Sequence, residues 1–200
     1  MNLLRLGPAD HGKRIDYDTF AAAAWEEGYQ YELVDGRLYV LPRPEFPQSF
    51  IEGWIYRSLD GYSEENPEII NYVSFNAWLF ISGRSSVTAL QPDVAAYENV
   101  PLDRIFDQLR WQDLSPVLAV EVLSLDDPDK DLVRNVELYR QVPTIREYWI
   151  IDTRRSVAEP TMYVYRRRGK RWERRLEVHF GETYETRLLP RFKLVLDPRK

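Results

Sequence analysis

The sequence predicts an α/β domain: a mixed β-sheet flanked by helices, with an antiparallel β segment added towards the C-terminal end. Three observations carry that expectation. The run Val117-Leu118-Ala119-Val120-Glu121-Val122-Leu123 is apolar, β-branched-rich and too short for a stable lone helix, so it reads as a buried strand. A helix with Asp127 as cap and Pro128 at its first position follows, and then the apolar strand Glu147-Tyr148-Trp149-Ile150-Ile151-Asp152. Strand, helix and strand at this spacing make a βαβ unit, whose crossover is expected to be right-handed. Everything after residue 160 reads as strands: 162–168, a turn at Gly169-Lys170, then 171–180, 184–189 and 192–196.

The earlier elements follow in order. Asp16 or Asp18 caps a first helix through Phe20–Trp25, and Gly28 stops it. Tyr29–Val34 and Arg37–Val40 form a hairpin around the strong turn pair Asp35-Gly36. Pro42, Pro44 and Pro47 then break regular structure. A second helix starts near Ser49, with Glu52 completing a capping box, and it buries Ile51, Trp54, Ile55, Leu59 and Tyr62. Residues 69–82 read as one long strand or a strand pair, and Val94–Tyr97 as the next strand. Residues 98–115 are a connection, with a helical turn around Leu102–Leu109.

Two hundred residues suffice for one domain with a real core, here expected to span 1–200. No apolar run is long enough to span a membrane, and the first residues lack a signal-peptide core. With no cysteine and only His11 and His179, thiolate sites are excluded and a zinc cluster is not expected. These features point to the cytoplasm. Charge is uneven: residues 160–200 carry 12 Lys/Arg and 5 Asp/Glu, whereas the remainder is acidic. The basic end could bind a polyanion, or could be a set of solvated edge strands.

An ionised Glu121 inside a buried strand is expensive unless it is paired or binds a cation. Asp93 stands where the chain begins the 94–97 strand, stiffened by Pro92. Two carboxylates on neighbouring strands suit a hard divalent cation, which can polarise a phosphoryl oxygen and deliver a hydroxide. Glu32, between Tyr31 and Leu33, offers a third. Each has a plainer alternative: an ion pair with a buried Arg for Glu121, a turn acceptor for Asp93, an exposed strand position for Glu32. Together with the βαβ order they favour a site.

The segments Tyr31-Glu32-Leu33-Val34-Asp35-Gly36, Pro92-Asp93-Val94, Val120-Glu121-Val122-Leu123-Ser124, Glu147–Asp152 and Leu188-Leu189-Pro190 resemble a motif series. It is that of a large bacterial family of restriction endonucleases within the PD-(D/E)XK nuclease superfamily, and the resemblance covers about residues 17–197. It implies a restriction-endonuclease-like core with Mg²⁺ or Mn²⁺ held at the strand ends by Asp93 and Glu121. It makes Glu32 the early acidic residue and Ser124 the serine of an E-x-x-S step. The implied activity is hydrolysis of phosphodiester bonds by a DNA endonuclease. Nucleic acid is the expected partner, DNA before RNA, no membrane is involved, and a homodimer stands as an option.

Two departures matter. Where the family carries Asp, Lys and Tyr at four-residue intervals, this chain reads Asp131, Asn135, Tyr139. An amide cannot supply the positive charge of a lysine, so weakened cleavage is expected at this degenerate position. Lys130 and Arg134 are nearby but fall on other parts of an α-helical face. The Pro47-Gln48 region also lacks the histidine that relatives often carry there. Arg166, Arg168, Lys170 and Arg171 are expected to meet nucleic-acid backbone. The alternatives are a catalytically inactive nucleic-acid-binding module of the same fold, and a structural domain whose carboxylates sit in ion pairs.

Overall fold

The computed structural model describes residues 4–103, 108–123 and 128–200. The Asp127 cap, Ser124 and part of the Leu102–Leu109 turn lie outside the described residues. In chain order the elements are β1 (Arg5–Leu6), α1 (Tyr17–Ala22), β2 (Ala24–Trp25), β3 (Tyr29–Val34), β4 (Arg37–Pro42), α2 (Phe46–Glu65), β5 (Tyr72–Phe75), β6 (Leu79–Phe80), β7 (Ala89–Leu90) and β8 (Val94–Tyr97). They continue with β9 (Leu118–Val122), α3 (Asn135–Arg140), β10 (Glu147–Asp152), β11 (Thr161–Arg168), β12 (Arg171–Trp172), β13 (Leu176–Val178), β14 (Thr183–Glu185) and β15 (Lys193–Val195). They fall into two compact units: Met1–Arg43 with Trp78–Gln91, and Pro44–Ala77 with Pro92–Lys200. Among the described residues no helix is long and apolar enough to cross a membrane.

The first unit is built on a sheet in the order β4-β3-β7-β6. Its hairpin closes at Asp35-Gly36, both with positive φ (51° and 73°), which a tight two-residue turn requires. Arg84 grips the Asp35 carboxylate at 2.6 and 2.8 Å. Phe20, Tyr31, Leu33 and Leu38 form its core. Of the two expected caps it is Asp16 that starts the first helix, at Tyr17, its carboxylate accepting the Thr19 N–H at 2.7 Å. Ala24–Trp25, expected to be helical, instead pairs in parallel with β1.

The second unit carries a sheet in the order β12-β11-β10-β9-β8-β5, with β13 also paired to β11, on the edge away from β10. β9 runs parallel to β10, as the βαβ reading requires, and antiparallel to β8. α2 lays Ile51, Trp54, Ile55 and Leu59 into a core shared with Val94, Val120 and Trp149. That helix begins at Phe46, three residues before the expected Ser49. Pro47 lies in its first turn, where a proline loses nothing by lacking an N–H, so it helps start the helix rather than interrupting it. Glu52 is therefore well inside the helix and completes no capping box.

Residues 69–82 do not form one strand or a mutual pair. β5 joins β8 in the second unit, β6 joins β7 in the first, and Asn76 between them adopts a left-handed φ of 47°. The expected 171–180 strand is likewise split into β12 and β13. The Leu188-Leu189-Pro190 segment docks on α2: Leu189 is buried and the Tyr62 hydroxyl donates to the Pro190 carbonyl at 3.1 Å.

Candidate active site

Glu121 sits near the carboxyl end of β9, fully buried and opposite Ile150 of β10. Antiparallel pairing of Val94 with Val120 brings Asp93 beside the same strand end. There the Asp93 carboxylate accepts the Val122 N–H at 2.7 Å. Asp93 is itself buried, and its carboxyl is held well above the usual carboxylate range. Burial is the main cause and repulsion from Glu52 the next; Lys130 and the Val122 N–H act the other way.

The helix after β9 completes the cluster. Asn135 donates through Nδ2 to Glu121 Oε1 at 3.0 Å and to Asp131 Oδ1 at 2.9 Å, bridging two carboxylates. The Tyr139 hydroxyl donates to the same Glu121 oxygen at 2.5 Å. Asp131, Asn135 and Tyr139 are all buried, so the expected stripe of four-residue steps faces the strand end. Tyr148 on β10 anchors the start of this helix by donating to the Asp131 carbonyl at 3.0 Å.

Lys130 corrects the sequence reading. Its ammonium lies 2.7 Å from Asp131 Oδ1 and 3.5 Å from Glu121 Oε2, with only 11% of the side chain exposed. In an α-helix, residues five apart point about 140° away from each other, which placed Lys130 off the Asn135 face. Here residues Lys130–Arg134 form a π turn, with the Asn135 N–H bonded to the Lys130 carbonyl. The wider turn stacks residues five apart, so Lys130 and Asn135 reach the same acids.

α2 adds two groups. Gln48 Nε2 donates to the Val122 carbonyl at 3.0 Å, pinning the start of the helix to the end of β9. One turn on, Glu52 is 4% exposed, and its Oε1 makes no hydrogen bond among the described residues. Burial, then the charge of Glu121, pushes its carboxyl up to about 7. The Lys130 ammonium thus touches Glu121 and Asp131, and its charge also acts on Glu52 and Asp93. Among the described residues no three Asp, Glu or His side chains form a ready-made metal cage. Mg²⁺ does not need one, because it is commonly held by one or two carboxylates and keeps several waters. Buried acids with oxygen donors and a raised charge density fit such a cation.

Of the other expected site residues, the arginine-rich hairpin is in the same unit as this cluster and Glu32 is in the other. Glu32 belongs to the first unit, where it is buried and accepts the Gln91 N–H at 3.3 Å. Arg166 donates to the Tyr184 hydroxyl at 3.2 Å and lies 3.5 Å from Glu147, so its guanidinium is engaged within the fold while 38% of the side chain stays exposed. Arg167 donates to the Tyr139, Arg140 and Val142 carbonyls and so caps the end of α3. Arg168, Lys170 and Arg171 remain exposed around the hairpin tip.

Sequence reasoning missed Glu52 and Lys130. An acid beside the apolar stripe of α2, four residues after Gln48, was a usable signal for the first. Nothing in the sequence announces a π turn.

No curated protein matches the chain. One solved structure with the same fold is described as a putative nuclease belonging to DUF820 from Anabaena variabilis. It is 15% identical, with a TM-score of 0.66 over 92% of this chain and 96% of that one. The core is accordingly restriction-endonuclease-like. Residues 17–197 match the Uma2 family, whose description is "Putative restriction endonuclease". The chain belongs to that family.

Proposed function

We propose that this protein is a divalent-cation-dependent nuclease that hydrolyses phosphodiester bonds, with DNA as the substrate. One observation carries the reading: buried Asp93 and Glu121 both stand at the carboxyl end of β9, where the Lys130 ammonium approaches Glu121. Open α/β sheets offer their ligand sites at such strand ends. Asp93 and Glu121 would hold Mg²⁺ or Mn²⁺. When bound, the cation supplies Lewis-acid polarisation of the phosphoryl oxygen and makes a water more acidic. Asn135 and Tyr139 fix the orientation of Glu121. Lys130 supplies the positive charge that the neutral Asn135 does not, and offsets charge that develops on the phosphate. The exposed Arg168, Lys170 and Arg171 hold backbone phosphates without reading sequence.

The test is cleavage of plasmid DNA, linear DNA and RNA in Mg²⁺ or Mn²⁺. Cleavage of DNA that disappears in EDTA and in Asp93→Asn supports the reading. A second reading, a nucleic-acid-binding module without cleavage, draws on Asn135 and on the ion pairs that engage Lys130. Salt-dependent DNA binding with no cleavage in either metal would favour it.

A further inference from the structure

We infer that Glu52 is a third acid of the cation site, holding the cation that Asp93 and Glu121 bind through one of its coordinated waters. This deepens the nuclease reading and rests on it. Gln48 and Glu52 stand four residues apart and share a helix face. Gln48 is bonded to the Val122 carbonyl, while Asp93 is bonded to the Val122 N–H, so the same strand end is gripped from both sides. That places Glu52 at the Asp93–Glu121 pair, and each of those acids enters the mutual repulsion with Glu52.

A structural role does not account for the residue. Glu45 is the N-cap of α2, so Glu52 lies beyond the first turn and satisfies no helix-end N–H. Its neighbours Ile51 and Ile55 are fully buried, and an apolar side chain would pack beside them without charge repulsion. A buried carboxylate with one oxygen that no described residue hydrogen-bonds, next to two more acids, weakens the fold and strengthens cation binding. Mg²⁺ and Mn²⁺ retain waters whose hydrogens need acceptors, and an oxygen of this kind supplies one. Asp131, the fourth acid of the cluster, is already bonded to Asn135 and Lys130.

The experiment is calorimetric titration of the apo protein with Mn²⁺, with a thermal melt in EDTA and in Mn²⁺ for each variant. Glu52→Gln keeps size and removes the charge. It is expected to weaken Mn²⁺ binding about 10–100-fold. It is also expected to raise the melting temperature in EDTA and shrink the further rise that Mn²⁺ produces in the wild type. Glu52→Gln binding Mn²⁺ within twofold of wild type, while Asp93→Asn abolishes binding, overturns the role of Glu52 and leaves the nuclease reading standing. A wild type that binds no Mn²⁺ overturns both. A lower melting temperature of Glu52→Gln in EDTA with unchanged Mn²⁺ affinity makes Glu52 a structural acid and also overturns the inference.

Discussion

Two buried glutamates lie on adjacent parallel strands and behave oppositely. Glu147 opens β10 opposite Leu118, and Glu121 lies towards the end of β9 opposite Ile150. The Glu147 carboxylate accepts from Trp149 Nε1 at 2.8 Å, from the Tyr184 hydroxyl at 2.9 Å and from the Thr186 hydroxyl, with the Arg166 guanidinium 3.5 Å away. Neutral donors and a cation surround it, so its charge is compensated where it stands. Glu121 also receives hydrogen bonds, from Asn135 and Tyr139, and has the Lys130 ammonium 3.5 Å away, but it shares that one cation with Asp131 and feels the further acid Glu52, which in turn acts on Asp93. Buried charge is therefore of two kinds. At the amino end of the parallel strands it knits β10 to the C-terminal segment. At the carboxyl end it collects more acids than the one ammonium of Lys130 can neutralise, and a further cation would relieve them.

Exchanging the amide for the acid at both positions tests this contrast most severely. Glu121→Gln is expected to lower cleavage by about 10³-fold or more, close to 4 kcal/mol of transition-state stabilisation, with little change in urea midpoint. Glu147→Gln is expected to lose about 2–3 kcal/mol of stability, because Arg166 then lacks its carboxylate, while folded protein still cleaves. Loss of cleavage in Glu147→Gln at unchanged stability would break the distinction.

Lys130 gives the next largest effect. Lys130→Met is expected to cost about 10²–10³-fold in cleavage rate with Mn²⁺ still bound. Asn135→Lys in that background should recover part of it, because position 135 faces the same two acids. Unchanged cleavage in Lys130→Met would mean that the ammonium only balances charge. The double variant staying silent with metal bound would favour the binding-module reading.

The acid cluster also sets a pH dependence. Glu52 has its carboxyl raised from 4.5 to about 7, and Asp93 shifts in the same direction. The native state then holds protons that the unfolded chain has released, so apo stability falls as pH rises from about 4.5 to about 7. Glu52→Gln should remove on the order of 2–3 kcal/mol of that fall, read from urea melts at pH 5 and 8 in EDTA. A wild-type stability that climbs across this window would show that attraction to Lys130 outweighs the repulsion.

The smallest effect separates the two roles within the arginine-rich hairpin. Changing Arg168, Lys170 and Arg171 to Glu should weaken DNA binding and flatten its salt dependence by about 2–3 units of log–log slope, without moving the melting temperature. Arg166→Glu should instead destabilise the fold by setting a second acid against Glu147. Equal loss of binding, at full stability, from both changes would make Arg166 a phosphate contact like the others.

The sequence by itself determined the local pieces. Hydrophobic run length made 118–122 and 147–152 strands, the Asp35-Gly36 pair made the hairpin, and the apolar stripe of α2 named its buried face. It also singled out Asp93 and Glu121, because an acid in a buried strand is costly wherever that strand packs. Two site residues needed the tertiary structure. Glu52 mimics a capping acid in sequence, and only the true start of α2 at Phe46 moves it to the strand end. Lys130 falls off the Asn135 face at α-helical spacing, and only the π turn rotates it onto Glu121 and Asp131. A π turn gains its stability from what the flanking residues reach, so sequence periodicity carries no trace of it. The surroundings of the arginines were equally non-local, since the sequence treated Arg166 and Arg168 alike. Contact with Glu147 and Tyr184, distant in the chain, engaged the Arg166 guanidinium and left Arg168 in solvent.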